Sequence, residues 1–169
     1  MARPQQVRYT YDDLRNTPED DGQRHEVLDG ELVVGPSPNR RHQQLSKRLQ
    51  HALYSHVELE HHLGEVYDAP FDVILAPDNV VVPDLIFVST ARQALFSDRG
   101  LEGAPDLVVE ILSPSTRARD VGVKRRIYAR FGVRELWLVD PTRDVVDRYQ
   151  LSEGGDLVAD GTFGRIDTL

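Results

Sequence analysis

Residues 106–112 read DLVVEIL, and residues 113–120 continue SPSTRARD. A short and almost unbroken apolar run suits a strand covered on both faces, so Asp106–Leu112 is expected at the centre of a sheet. Ser113-Pro114-Ser115-Thr116 supplies helix-start chemistry. The helix is expected to run to about Phe131 and to stop at Gly132. Leu136–Val139 is a further strand closed by Asp140-Pro141, and Val145–Leu151 is another; the Gly-rich tail carries only a weak signal. On the N-terminal side, Glu65–Ala69, Phe71–Leu75 and Val80–Val88 are strand candidates, separated by Pro70 and by the Pro77-Asp78-Asn79 turn. Residues 90–103 are polar and read as a short helix and loop. From about Arg40 to His62 the pattern is helical, with His42, Leu45, Leu49, Leu53 and His56 on one face and Asn39 as its cap. His25–Val34 reads HEVL-DG-ELVV, an Asp-Gly hairpin signal. Tyr11–Arg15 is a short helix, followed by an acidic loop over Asn16–Gly22. This order predicts an α/β (α+β) fold: one mixed β-sheet flanked by helices, in a single domain over residues 1–169.

Composition bounds the chemistry. With 40% apolar and 28% charged residues the chain has an ordinary globular balance. It has no cysteine, which removes disulfides, thiolate nucleophiles and Cys-based zinc sites. No apolar run approaches the roughly 20 residues that span a bilayer. The N-terminal MARPQQVRYTYDDL lacks the apolar core of a secretory signal, so a cytoplasmic location is expected. The formal charge of −8 is unevenly spread. Eight acidic residues lie between Asp12 and Glu31, whereas Ser113–Arg134 holds seven basic residues and only Asp120 as an acid. Segregation of this kind suits either a basic binding face or a solvated helix surface.

Three residues contradict their local pattern. Glu110 sits inside DLVVEIL and shares a strand face with Val108 and Leu112. Burying it ionised costs several kcal/mol unless it is paired or holds a cation, so it is either a metal ligand or half of an ion pair with an arginine. Asp84, in VVVPDLIFV, presents the same conflict: a metal ligand, or an acceptor for a backbone or arginine donor. Pro83 removes a ladder donor and marks a strand edge or bulge there. Two carboxylates brought together need a cation between them or a raised pKa. Lys124 falls on the inward stripe Val121, Lys124, Ile127, Tyr128, Phe131; it either snorkels outward or reaches the carboxylates. His42 lies on the apolar stripe of the long helix, as a core residue or a phosphate contact. Asp72, in FDVIL, shares this ambiguity.

Together these residues resemble the PD-(D/E)XK nucleases, in which an Asp, often after Pro, and an acidic residue on the next strand hold a metal, with a lysine two positions beyond. Pro83-Asp84 matches the first element and Glu110 the second. Leu112 stands where the lysine would be, and Lys124 looks like its displaced equivalent. More closely, the chain is similar to the bacterial Uma-two family of restriction-endonuclease-like proteins. The matching stretches are HEVLDGELV (25–33), His42, VVPDLIFV, PDLVVEILSPSTRARD (105–120), Lys124, Tyr128 and GVRELWLVDP (132–141). The resemblance implies a restriction-endonuclease-like sheet and metal-dependent cleavage of phosphodiesters, in DNA by preference. It implies Asp84 and Glu110 as ligands of Mg²⁺ or Mn²⁺, Glu26 as an acidic position near the metal, and Lys124 as the assisting cation.

A helix start near Ser115 would offer amides, with the Ser115 and Thr116 hydroxyls, to a phosphate. Cutting both strands of a duplex needs two sites, which makes a homodimer the expected assembly. The competing expectation is a nuclease-like scaffold kept only for binding or regulation, favoured by the acidic charge and the missing lysine at position 112. A serine hydrolase is disfavoured because no G-x-S-x-G elbow is present. A His-based zinc hydrolase is disfavoured because H-E-x-x-H is absent and His61-His62 are adjacent.

Overall fold

The computed structural model describes residues 7–16 and 23–164. In it DLVVEIL forms strand β9 (Leu107–Ile111), buried at every position. Before it come helix α1 (Tyr11–Leu14), strands β1 (Arg24–Leu28) and β2 (Glu31–Gly35), and helix α2 (Arg40–Leu53), which continues as a wider π-type turn over Tyr54–Glu60. Then follow β3 (Gly64–Asp68), β4 (Val73–Ala76), β5 (Asn79–Val81), β6 (Leu85–Ser89), a 3₁₀ turn over Thr90–Leu95, β7 (Phe96–Ser97) and β8 (Gly100–Leu101). After β9 the chain forms α3 (Arg117–Arg119), a second π-type segment (Asp120–Lys124), α4 (Arg125–Phe131), β10 (Glu135–Asp140), β11 (Val145–Leu151) and β12 (Leu157–Phe163).

The strands make two six-stranded sheets, ordered β2-β1-β5-β4-β8-β7 and β12-β11-β10-β9-β6-β3, where a single sheet was expected. The division follows from Pro83. Val80–Val88 does not run as one strand: β5 ends at Val81, Val82–Asp84 turns across, and β6 enters the other sheet at Leu85. A proline cannot donate to a ladder, so the chain changes sheets where it stands. The tail is also more ordered than its composition suggests, because β12 pairs antiparallel with β11 along its length. The acidic loop expected over 16–22 lies, beyond Asn16, outside the described residues.

Alternation along β9 divides the core. Val108 and Leu112 face a cluster that joins Leu28, Val73, Val81 and Leu101 of the first sheet to Ile127 and Tyr128 of α4. Val109 and Ile111 face the other way, packing with Leu85 and Val139 against Leu45, Leu49 and Leu53 of α2. The inward stripe of α2 therefore holds as far as Leu53. Its next expected member, His56, is exposed, because the widened turn shifts the phase and buries Val57 instead. On the far side of the first sheet, Tyr11 of α1 packs with Val27, Ile74 and Val80. Among the described residues no helix is long and apolar enough to cross a membrane.

Leu85 is fully buried at the point where the chain enters the second sheet. Leu85→Ala is expected to lower unfolding stability by about 2–5 kcal/mol in a urea titration. A loss well under 1 kcal/mol would contradict this packing.

Candidate active site

The pairing of β6 with β9 brings the two unusual carboxylates together. Leu85 stands opposite Val109 and Ile86 opposite Val108, so one step further the register sets Asp84 against Glu110. Asp84 has left the strand but stays bonded to the sheet: its carbonyl accepts from Ala69 N–H at 3.1 Å, and its Oδ2 accepts from Ile111 N–H at 2.7 Å. Its side chain is 3% exposed in the ion pairs it forms. The Arg24 guanidinium donates to Oδ1 at 2.8 Å, and His42 Nε2 lies 3.1 Å from Oδ2. Burial alone would raise the Asp84 pKa, but His42, Arg24 and the Ile111 amide hold it below the usual carboxylate value. The acceptor role expected as the alternative for Asp84 is thus met by both an arginine and a backbone donor, whereas the charged partner on Glu110 is a lysine.

Glu110 has different company. Its Oε1 lies 2.6 Å from Lys124 Nζ and accepts from the Tyr128 hydroxyl at 2.5 Å. Lys124 does not snorkel. At 1% exposure it is among the largest fully buried side chains, and it also donates to Glu26 Oε1 at 2.8 Å. Glu26 in turn accepts from Val82 N–H at 2.9 Å, so it ties β1 to the crossing segment between the sheets. Asp120, one helical step before Lys124, is buried with its carboxylate 4.0 Å from the ammonium. Burial pushes the Glu110 carboxyl up to about 8, against the pull of Lys124 and helped by Asp120, Asp84 and Glu26. Asp120 is raised by burial as well. Burial would lower the Lys124 pKa, yet Glu110, Glu26 and Asp120 keep it above the ordinary lysine value. Tyr128 is likewise raised by its burial and by Glu110.

These groups line one cavity of about 220 Å³, with Arg24, Glu26, Asp84, Glu110 and Lys124 in its wall and Ser115, Thr116 and Arg119 at its helix side. An adjoining cleft of about 670 Å³ shares Arg24, His42 and Asp84 and extends past Asp72, whose carboxyl burial raises. The donor set fits a divalent cation. Four carboxylates, Glu26, Asp84, Glu110 and Asp120, share this wall with three cations, Arg24, Arg119 and Lys124, so acids outnumber cations there. Hard oxygens of this kind suit Mg²⁺, which keeps much of its shell as water and phosphate oxygens. Among the described residues no three of these side chains bring ligand atoms within 4.8 Å of one another, so an ion here would find most of its shell open.

The helix-start expectation changes in detail. The amides of Thr116 and Arg117 both bond to Ser113 C=O, so they are not open to an anion. The Ser115 and Thr116 hydroxyls lie 3.1 and 3.0 Å from Ser113 Oγ, at the rim. The basic run is also dispersed: Arg117 pairs with Asp140, Arg130 with Asp29 and Arg134 with Asp106. Arg119 stays with the cavity, its Nε buried without a hydrogen-bond partner among the described residues.

Sequence reasoning assigned no site role to Arg24, Arg119, Asp120 or Tyr128. Arg24 shares a strand face with Glu26, and Asp120 precedes Lys124 by one helical step; both signals were present in the spacing.

Residues 9–168 match the family described as "Putative restriction endonuclease", Uma2. The chain belongs to this family. It is 29% identical over 136 residues to the uncharacterized protein slr1290 of Synechocystis, covering 79% of this chain and 70% of that one. Its fold is similar to that in the crystal structure of a putative nuclease belonging to DUF820 from Anabaena variabilis. That likeness has a TM-score of 0.75 at 21% identity, over 95% of this chain and 87% of the other. The membership supports a nuclease-like function for the Uma2 chain and an encounter with nucleic acid.

A carboxyl whose folded pKa is raised keeps a proton in the fold that the unfolded chain releases above about 4.5. Its burial therefore costs increasing stability as pH rises from about 4.5 to about 8, and a constant amount above that. Glu110→Gln is expected to flatten the pH dependence of the thermal midpoint measured in EDTA and to exceed wild type at the alkaline end. Parallel curves would contradict the assignment.

Proposed function

We propose that this Uma2 protein is a Mg²⁺-dependent nuclease that hydrolyses phosphodiester bonds in DNA, working as a homodimer when both strands are cut. The observation that carries the reading is the meeting of Asp84 and Glu110 from neighbouring strands in one polar cavity, with a buried lysine on the second carboxylate. Asp84 and Glu110 would hold the ion, and Glu26 would add negative charge beside it. A bound Mg²⁺ supplies Lewis acidity toward a phosphate oxygen and lowers the pKa of a coordinated water.

The protein's own groups then do the rest. Lys124 is fixed by Glu26 and Glu110, so its ammonium can face charge developing on the phosphate without reorganising. Tyr128 orients the Glu110 carboxylate through its hydroxyl. Arg119 and the Ser115 and Thr116 hydroxyls line the cavity's helix side and would receive non-bridging phosphate oxygens. His42, whose Nδ1 lacks a partner among the described residues, stands on the side of the larger cleft and would position Asp84 or contact phosphate.

One observation favours a second reading, a nuclease-like module used for binding. Both oxygens of Asp84 already have donors in Arg24, His42 and Ile111 N–H. The readings separate in a cleavage assay on supercoiled and single-stranded DNA with Mg²⁺ or Mn²⁺. Nuclease action predicts nicking that EDTA stops and Glu110→Ala abolishes. Lys124→Ala, assayed at a temperature where circular dichroism shows it folded, should lower the rate by at least about a hundredfold, in line with the removal of one charge-stabilising donor, while metal binding persists. Absence of cleavage on all substrates, with DNA still bound, would favour the module.

A further inference from the structure

His56, Glu60 and His61 bring a second set of metal-binding side chains together at the opposite end of the long helix from His42. His56 Nδ1 stands 3.7 Å from Glu60 Oε2, and His61 Nε2 stands 4.0 Å from the same oxygen. All three ligand atoms lie within 4.8 Å of one another, and the two imidazoles meet edge to face with centroids 4.4 Å apart. Ligands about 2.0–2.1 Å from a tetrahedral ion are roughly 3.3 Å apart, so a small rotation of exposed side chains closes this set.

The backbone assembles the group. His56 and Glu60 are neighbours on any α-helix, but His61 would lie about 140° around the axis from His56 in regular α geometry. In the widened turn His61 N–H bonds to His56 C=O at 3.1 Å, the i to i+5 bond of π geometry. That extra residue per turn swings the second imidazole back over the first. It is also why His56 leaves the inward stripe. Widened turns of this kind recur at functional sites. The three side chains are each more than half exposed, at 61%, 63% and 52%, so an ion can reach them directly.

The geometry points to a surface site for a borderline divalent transition-metal ion, Zn²⁺ or its like, held by His56, Glu60 and His61. Two imidazole nitrogens and one carboxylate favour Zn²⁺, Co²⁺, Ni²⁺ or Cu²⁺ over Mg²⁺, which requires an oxygen shell. At about 1.5 Å per residue along the helix, the group lies roughly 20 Å from His42 and the carboxylate cavity. An ion here clips the end of the long helix and leaves coordination positions for water or an added ligand. Because it binds the folded turn, it raises the stability of the fold.

The test is titration of Zn²⁺ and Co²⁺ into tag-free protein with excess Mg²⁺ present, beside His56→Ala and His61→Ala. The expected result is one equivalent bound, visible d–d absorption from Co²⁺ and a Zn²⁺-dependent rise in thermal midpoint. Each variant should weaken binding at least tenfold while matching the wild-type midpoint in EDTA, since both side chains are exposed. Equal binding in wild type and both variants would overturn the site. So would the absence of both the Co²⁺ spectrum and the thermal shift.

Discussion

A single buried ammonium holds the molecule's centre together. Lys124 reaches Glu26 on the first sheet and Glu110 on the second, and it comes from the helix that packs between them. Without it, Glu26 and Glu110 would lose the ammonium that contacts each, and an ionised carboxylate buried without its partner costs several kcal/mol. With it, the two sheets and the helix are fixed to one another at the point where the cavity forms. The π-type turn over Asp120–Lys124 belongs to the same arrangement, because Asp120 and Lys124 are both buried on it.

The ammonium does not neutralise the cluster, and this imbalance gives the cavity its chemistry. Burial pushes Glu110 up to about 8, the neighbouring carboxylates adding to it and Lys124 only partly opposing it. Asp84, with an arginine, an imidazole and an amide to itself, is ionised more readily than a free aspartate. Two adjacent acids therefore differ in their readiness to carry charge, and a divalent ion is the simplest addition that lets both ionise. The basic run does little to offset the overall charge of −8 at the cavity, since Arg117, Arg130 and Arg134 pair with acids away from it. Arg119, beside the cavity, is the exception.

Much of this was legible in the sequence because buried carboxylates are conspicuous. Glu110 and Asp84 stood out against valine and leucine, and Lys124 against its helical stripe; all three meet in one place. Uma2 membership was legible in the ordered set of motifs for the same reason. What escaped had local causes. The split into two sheets turns on Pro83, which strand periodicity treats as a blemish rather than a crossing point. His56 was placed inward because a period of 3.6 was carried across a turn that is wider than that. Arg24 was hidden among acids, where an arginine reads as a surface counterion, although it shares a strand face with Glu26 two residues on. Strand β12 was hidden by glycines in a stretch that gains its order from pairing with β11.

The central claim is that Asp84 and Glu110 form one divalent-metal site, and calorimetric titration of Mg²⁺ and Mn²⁺ into the protein tests it most directly. The account predicts binding by wild type that disappears in both Asp84→Ala and Glu110→Ala, with each variant still folded. Metal binding that is indifferent to both substitutions would contradict it, as would two variants that behave differently from one another.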